Sequence, residues 1–205
     1  MGVLVLVLIG GIAFLVSNTK GHEEATAGVP AEVTDADWIL GTSTAKVTII
    51  EYSDLQCPAC ASYETILKPL IAKYPNDVRL VYRHFPLKQI HPNAVSAGVA
   101  SEAAGRQGKF WEMHDMLFDR QDIWGKSVTA KDLYVAYAKE LGLNEAQFVA
   151  DMNDKVLEQK LQDSFTTAVT LGLSGTPSFF LNGELIDSPR SFSEFEALIQ
   201  AELAK

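Results

Sequence analysis

The sequence predicts an α/β fold made of a strand–helix–strand unit, an all-helical stretch, and a closing strand–strand–helix unit. Three observations carry this. Two short β-branched and apolar runs, 47–52 and 78–83, bracket a stretch whose apolar residues recur at helical spacing. Strand signals then vanish until Pro177, and the intervening chain reads as helix. Finally, Asn182-Gly183 separates two short apolar runs, 178–181 and 184–186. Asn-Gly in that setting is the strongest short-range hairpin signal, because a type I′ turn needs two positive φ values in succession.

In chain order, residues 1–19 come first and are almost wholly apolar from Gly2 to Val16. As a helix, the apolar run would span roughly 22–24 Å at ~1.5 Å per residue, somewhat short of a ~30 Å hydrocarbon core. It reads as a short signal anchor in preference to a cleaved signal peptide, although no Lys or Arg precedes it. Either way the domain is expected outside the cytoplasm, where disulfides form. Residues 20–34 are polar and rich in Ala, Gly and Glu, as in a flexible tether. The folded domain is expected over 35–205.

After the 47–52 strand, Tyr63, Ile66, Leu67, Leu70, Ile71 and Tyr74 form one helical face, with Pro69 expected to kink or end the helix near Lys68. Pro75-Asn76-Asp77 is a turn into the 78–83 strand, which should lie parallel to the first through a right-handed crossover. The helical stretch, about 91–171, comprises four or five helices. These include an Ala-rich segment from His91 to Gln107, an aromatic one over 108–119, and two opened by Thr129-x-x-Asp132 and Asn144-x-x-Gln147. Leu157, Leu161, Phe165 and Ala168 stripe the last of them. Ser193-x-x-Glu196 is expected to cap the closing helix.

Composition narrows the function classes. Apolar content of 47% in 205 residues is a globular value and suits one ordinary domain. A net charge of −9 without a basic stripe excludes nucleic acid as a partner. Two cysteines are too few for a disulfide scaffold. A structural zinc site would need further ligands at suitable spacing, which His84 and His91 do not offer, so no metal and no other cofactor are expected.

Those two cysteines form Cys57-Pro58-Ala59-Cys60, placed where the first strand gives way to a helix that Pro58 is suited to open. Cysteines at i and i+3 across a helix start can close a small disulfide ring. The first of them can also ionise easily, since its thiolate faces unpaired backbone N–H groups and the positive end of the helix dipole.

Taken together, the stretches "DWILG" (37–41), "EYSDLQCPAC" (51–60), "RHFPL" (83–87), "HPNAVSAGVASEAAGRQGKFWEMHDMLF" (91–118) and "GTPSFFLNG" (175–183) resemble the DsbA-like thiol-disulfide oxidoreductases. The resemblance implies a thioredoxin fold with a helical insertion between its halves. It implies that Cys57 is the exposed nucleophile and Cys60 the resolving thiol, with Pro58 and Ala59 as the active-site dipeptide. It also implies that a cis Thr176-Pro177 bond faces the disulfide and that the backbone there binds extended substrate. Glu51 would lie beneath the site, where burial would raise its pKa and suit it to exchange a proton with Cys60. The partners implied are reduced or unfolded secreted proteins and a membrane quinone-linked reoxidant.

Strongly oxidising members of that family carry His before the second Cys, and here that residue is Ala59. Loss of that neighbour should shift the potential from the ~−120 mV of DsbA toward the ~−180 mV of protein disulfide isomerase. A disulfide-forming oxidase is the expected activity; a reductase or isomerase on the same scaffold, or a peptide-binding module without redox chemistry, are the alternatives. His84 is expected to be loop polarity, His91 a helix start before Pro92, His114 a packing or surface residue, and Asp54 a turn or cap residue.

Overall fold

In the computed structural model, residues 28–30 and 32–205 are described, so the apolar segment 1–19 and the first part of the tether lie outside the described residues. Among the described residues, no helix is long and apolar enough to cross a membrane.

The first half contains β1 (Trp38–Leu40), β2 (Val47–Ser53), α1 (Pro58–Lys73) and β3 (Val78–His84). The helical insertion contains α2 (Ala94–Gly105), α3 (Phe110–Asp119), α4 (Gln121–Trp124), α5 (Ala130–Glu140), α6 (Glu145–Met152) and α7 (Lys155–Thr170). The chain closes with β4 (Ser178–Leu181), β5 (Glu184–Ile186) and α8 (Phe192–Leu203). The strands form one sheet in the order β1-β3-β2-β4-β5. β2 and β3 are parallel, as the strand–helix–strand reading requires, and the other pairs are antiparallel.

Side chains alternate across a strand, so β2 serves two cores. Val47 and Ile49 pack with Leu67, Leu70, Phe195 and Ile199 of α1 and α8, whereas Ile50 and Tyr52 pack with Ala168 and Leu171 on the α7 side. A third core fills the helical insertion and reaches Cys57, Cys60 and Tyr82, which makes the active-site corner the seam between the two halves. At that seam Gly105 lets α2 pass under Trp38: a Cβ there would come within 2.3 Å of the indole. The residues before β1 lie against the α7–β4 connection, with Gly28 N–H donating to Leu171 O at 3.0 Å and Pro30 buried.

Several expectations need correction. β1 is a strand that three residues are too few to announce by pattern; it is held by pairing Trp38, Ile39 and Leu40 with β3. α1 runs through Pro69 to Lys73, because Leu70 and Ile71 on the far side are anchored in the core and outweigh one lost backbone hydrogen bond. Thr129 precedes α5 without a side-chain cap, its hydroxyl lying beside Ser127. The α8 cap is Ser191, whose hydroxyl accepts from Glu194 N–H at 3.2 Å, while the Glu194 carboxylate accepts from Arg190 N–H at 2.7 Å. The same motif thus works two residues earlier than the one read from the sequence. Asn144 caps α6 as expected, and the hairpin turn places Asn182 at φ 47° and Gly183 at φ 90°.

Candidate active site

β2 ends in a turn that delivers the cysteines. Asp54 is buried, and its carboxylate accepts from Gln56 N–H at 2.7 Å and Leu87 N–H at 2.8 Å, with His91 Nδ1 at 2.7 Å. Its carbonyl accepts from Cys57 N–H at 2.9 Å. Asp54 is therefore the turn residue expected, and His91 is its partner. The insertion clamps the same turn from above. Gln121 Nε2 donates to Leu55 O and Cys57 O, and Gln56 bridges Gly125 O and Asn93 N–H. The Asn93 side chain is spent on the carbonyls of Trp124, Gly125 and Ser127, which is why it does not cap α2 despite standing at that position.

Cys57 occupies the N-cap of α1 and Pro58 the first helical turn. Pro58 and Ala59 are exposed; Cys57 is 7% exposed and Cys60 fully buried. Both thiols are free. The Thr176–Pro177 bond is cis, and Thr176 O accepts from the Cys57 thiol at 3.6 Å. The sequence-predicted residues 57–60, 176 and 177 thus come together at one corner.

The two thiols are driven apart in acidity. A hydrogen bond from the Cys60 thiol, helped by the Thr176 hydroxyl and the backbone amides of Cys60 and Ala59, stabilises the Cys57 thiolate. Against the opposing effect of burial, these bring Cys57 down from 9.0 to about 5. Cys60 moves the other way: burial, its hydrogen bond to Cys57, and the charge of Glu51 hold it well above the usual thiol range.

Glu51 lies in β2 opposite Tyr82 of β3 and Phe179 of β4, fully buried, and among the described residues neither carboxylate oxygen has a hydrogen-bond partner. Burial, with the charge of Cys57 adding to it, lifts its carboxyl to about 7. A buried carboxyl near neutrality beside a high-pKa thiol can give and take a proton at physiological pH.

Sequence reasoning missed a second buried acid. Glu64 sits one helical turn beyond Cys60 on α1, 6% exposed, and burial followed by the charge of Glu51 raises it to about 7 despite the opposing charges of His114 and Lys68. The signal was available, since 60, 64, 67 and 71 share the buried face of α1. His114 is buried beside it, the packing option of the two envisaged. His84 is the buried last residue of β3 and not loop polarity: its Nε2 lies 3.2 Å from Glu102 Oε1, and Glu102 also accepts from Lys160 Nζ and Trp38 Nε1.

A family model described as thioredoxin matches residues 33–201. Among curated proteins, the chain is 36% identical over 170 residues to the Na(+)/H(+) antiporter NhaA 3 of Salinispora tropica, covering 83% of this chain and 25% of that protein. The chain spans about a quarter of the length of the curated relatives it matches. Among solved structures, alpha-DsbA1 of Wolbachia pipientis is similar with a TM-score of 0.75 at 22% identity, covering 84% of this chain and 93% of that one. A thioredoxin-like oxidoreductase from Silicibacter pomeroyi is similar with a TM-score of 0.70 at 28% identity, covering 84% of this chain and 95% of that one.

Proposed function

The chain belongs to the thioredoxin family, and on that premise we propose that it is a thiol-disulfide oxidoreductase that donates the Cys57–Cys60 disulfide to reduced proteins outside the cytoplasm. The observation that carries this reading is the opposed acidity of the two thiols at one helix start, Cys57 at about 5 and Cys60 well above the usual range. A stable Cys57 thiolate is a good leaving group and favours the reduced form of the pair, which makes the disulfide an oxidant; each tenfold gain is worth about 30 mV in a two-electron couple.

The steps follow. A substrate thiolate attacks Cys57 Sγ, the Cys57–Cys60 bond breaks, and Cys60 leaves with the electron pair and takes a proton from Glu51. A second substrate thiol, once deprotonated, attacks the mixed disulfide, and Cys57 leaves as its thiolate. The substrate is oxidised by two electrons and the cysteine pair reduced by two. Extended substrate backbone at Thr176, whose carbonyl already faces Cys57, would align the attacking sulfur.

Reoxidation by a membrane quinone-linked partner completes the cycle, and the apolar segment 1–19 would tether the domain near it. A reductase on the same scaffold is the second reading, favoured by Ala59 where oxidising members carry His.

Equilibration of the full chain in glutathione buffers, with the thiol state of both cysteines read by mass, tests the direction. The expected potential is at or above about −180 mV; a value below about −220 mV would contradict donation and establish the reductase.

A further inference from the structure

The proton that Cys60 exchanges with Glu51 has to reach solvent, and Glu51 itself is fully buried. On α1, Cys60, Glu64 and Lys68 follow one another at intervals of four, so they form a single row along the helix. The row runs from full burial at Cys60 to a Lys68 side chain that is 37% exposed. From α3, His114 and Asp115 face the same row. His114 Nδ1 lies 3.0 Å from Asp115 Oδ1, and His114 Nε2 lies 4.0 Å from Glu64 Oε1.

The polar atoms along this row are left open. Among the described residues, Glu64 Oε1 and His114 Nε2 are both buried without a hydrogen-bond partner, and so is the Tyr82 hydroxyl from β3. Tyr82 pairs with Glu51 in the sheet, and its ring meets the His114 ring edge-on at 4.7 Å. Nε2 is the ring nitrogen of His114 that faces Glu64. A cavity of ≈ 70 Å³ lined by Glu64, Lys68, Trp111, His114 and Asp115 has room for a water that could close the 4.0 Å gap. Glu64, His114 and Asp115 also have the residue types of a metal site, their ligand atoms lying within 4.8 Å of one another. Lys68 Nζ, at 3.8 Å from Glu64 and 3.2 Å from Asp115, already supplies positive charge there.

We propose that Glu64 and His114 form the proton path of the resolving cysteine, carrying the proton exchanged between Cys60 and Glu51 to and from solvent at the Lys68–Asp115 surface between α1 and α3. In the donating direction Cys60 takes the Glu51 proton, Glu64 restores it with the Tyr82 hydroxyl as the buried link, and His114, held by Asp115, passes Glu64 a replacement proton taken from water at the Lys68–Asp115 surface. In the reverse direction the proton leaves by the same groups, and no electrons move along the path. The ionisable groups facing Glu64 are Glu51 from β2, Tyr82 from β3, Cys60 and Lys68 on its own helix, and His114 and Asp115 from α3, with Asp119 reaching Lys68 at the rim. The path rests on the exchange chemistry proposed above and adds to it the route by which the site equilibrates with solvent.

The test separates the two sulfur steps. Reduced full-length protein is mixed with oxidised glutathione, quenched in acid at intervals, and the reduced, glutathionylated and disulfide forms are resolved by mass across pH 5–9. Glu64→Gln is nearly isosteric, and His114→Gln is the second variant in case one fails to fold. Both are expected to slow resolution of the Cys57–glutathione adduct by roughly 10-fold at pH 7, leaving formation of that adduct within about twofold. They should also convert the pH dependence of resolution from a rise near neutrality to one that continues into alkaline solution, where hydroxide replaces the relay. Unchanged resolution in both variants overturns the path, and so does equal slowing of both steps, which marks a structural defect. Wild-type protein that forms no adduct at all refutes the exchange reading and the path with it.

Discussion

Cys57→Ser is expected to abolish disulfide exchange with glutathione and with protein thiols, by a factor on the order of 10³ or more, because a serine hydroxyl neither ionises near neutrality nor forms a disulfide. Cys60→Ser should behave differently. Its Cys57 remains ionisable at the helix start, so it attacks a disulfide but cannot be resolved internally, and the mixed disulfide accumulates. Non-reducing gels and mass spectra of the two variants after incubation with oxidised substrate distinguish these outcomes. Turnover in Cys57→Ser, or adducts on Cys60 in the wild type, would reverse the roles proposed for the pair.

Glu51→Gln is expected to slow the Cys60 steps by about 10- to 100-fold at neutral pH, since glutamine keeps the shape of the side chain but carries no transferable proton. The same substitution should stabilise the fold in alkaline solution. The Glu51 carboxyl sits at about 7 in the folded protein and at the ordinary 4.5 when unfolded. Between those values the folded state holds a proton that the unfolded state has lost, so wild-type stability falls as pH rises from 4.5 to about 7 and stays reduced above it. The glutamine variant does not titrate. Its advantage should be about 3–4 kcal/mol above pH 8, at roughly 1.4 kcal/mol per tenfold difference in proton affinity, and should vanish below about pH 4.5. Urea unfolding of reduced wild type and variant at pH 4.5 and 8.5 measures it. A variant that is slower yet more stable in alkali is the signature of a functional buried acid; equal stability at both pH values would place the Glu51 carboxylate in water.

Much of this architecture is legible in the sequence because its signals are local. The β-branched runs of β2 and β3 and the Asn182-Gly183 turn specify their own backbone. The α1 stripe does likewise, and Asn144 caps α6 where the motif places it. What escaped notice depends on distant partners. β1 exists because β3 offers an edge, and α4 because Gln121 reaches the carbonyls of Leu55 and Cys57 across the seam. Asp54 is recognisable as a turn residue from its neighbours in sequence, but its bond to His91 joins residues 37 positions apart.

The site follows the same division. Cys57, Cys60 and Pro177 declare themselves through a motif and a resemblance, whereas Glu64 and His114 are ordinary helix residues until α1 and α3 pack together. Position 64 lies one helical turn before Leu67 and two before Ile71, and the structure buries it on that face of α1. An acid on an apolar face invites either a solvated edge or a perturbed carboxyl, and only the packing of α3 decides between them.

The most direct measurement is the pH dependence of iodoacetamide alkylation of the reduced full-length protein, with each cysteine followed separately by peptide mass. Cys57 is expected to be modified with a midpoint near pH 5, and Cys60 to resist modification throughout the neutral range. A Cys57 midpoint at the ordinary thiol value of about 8.5, or alkylation of Cys60 before Cys57, would contradict an activated nucleophile resolved by a buried partner.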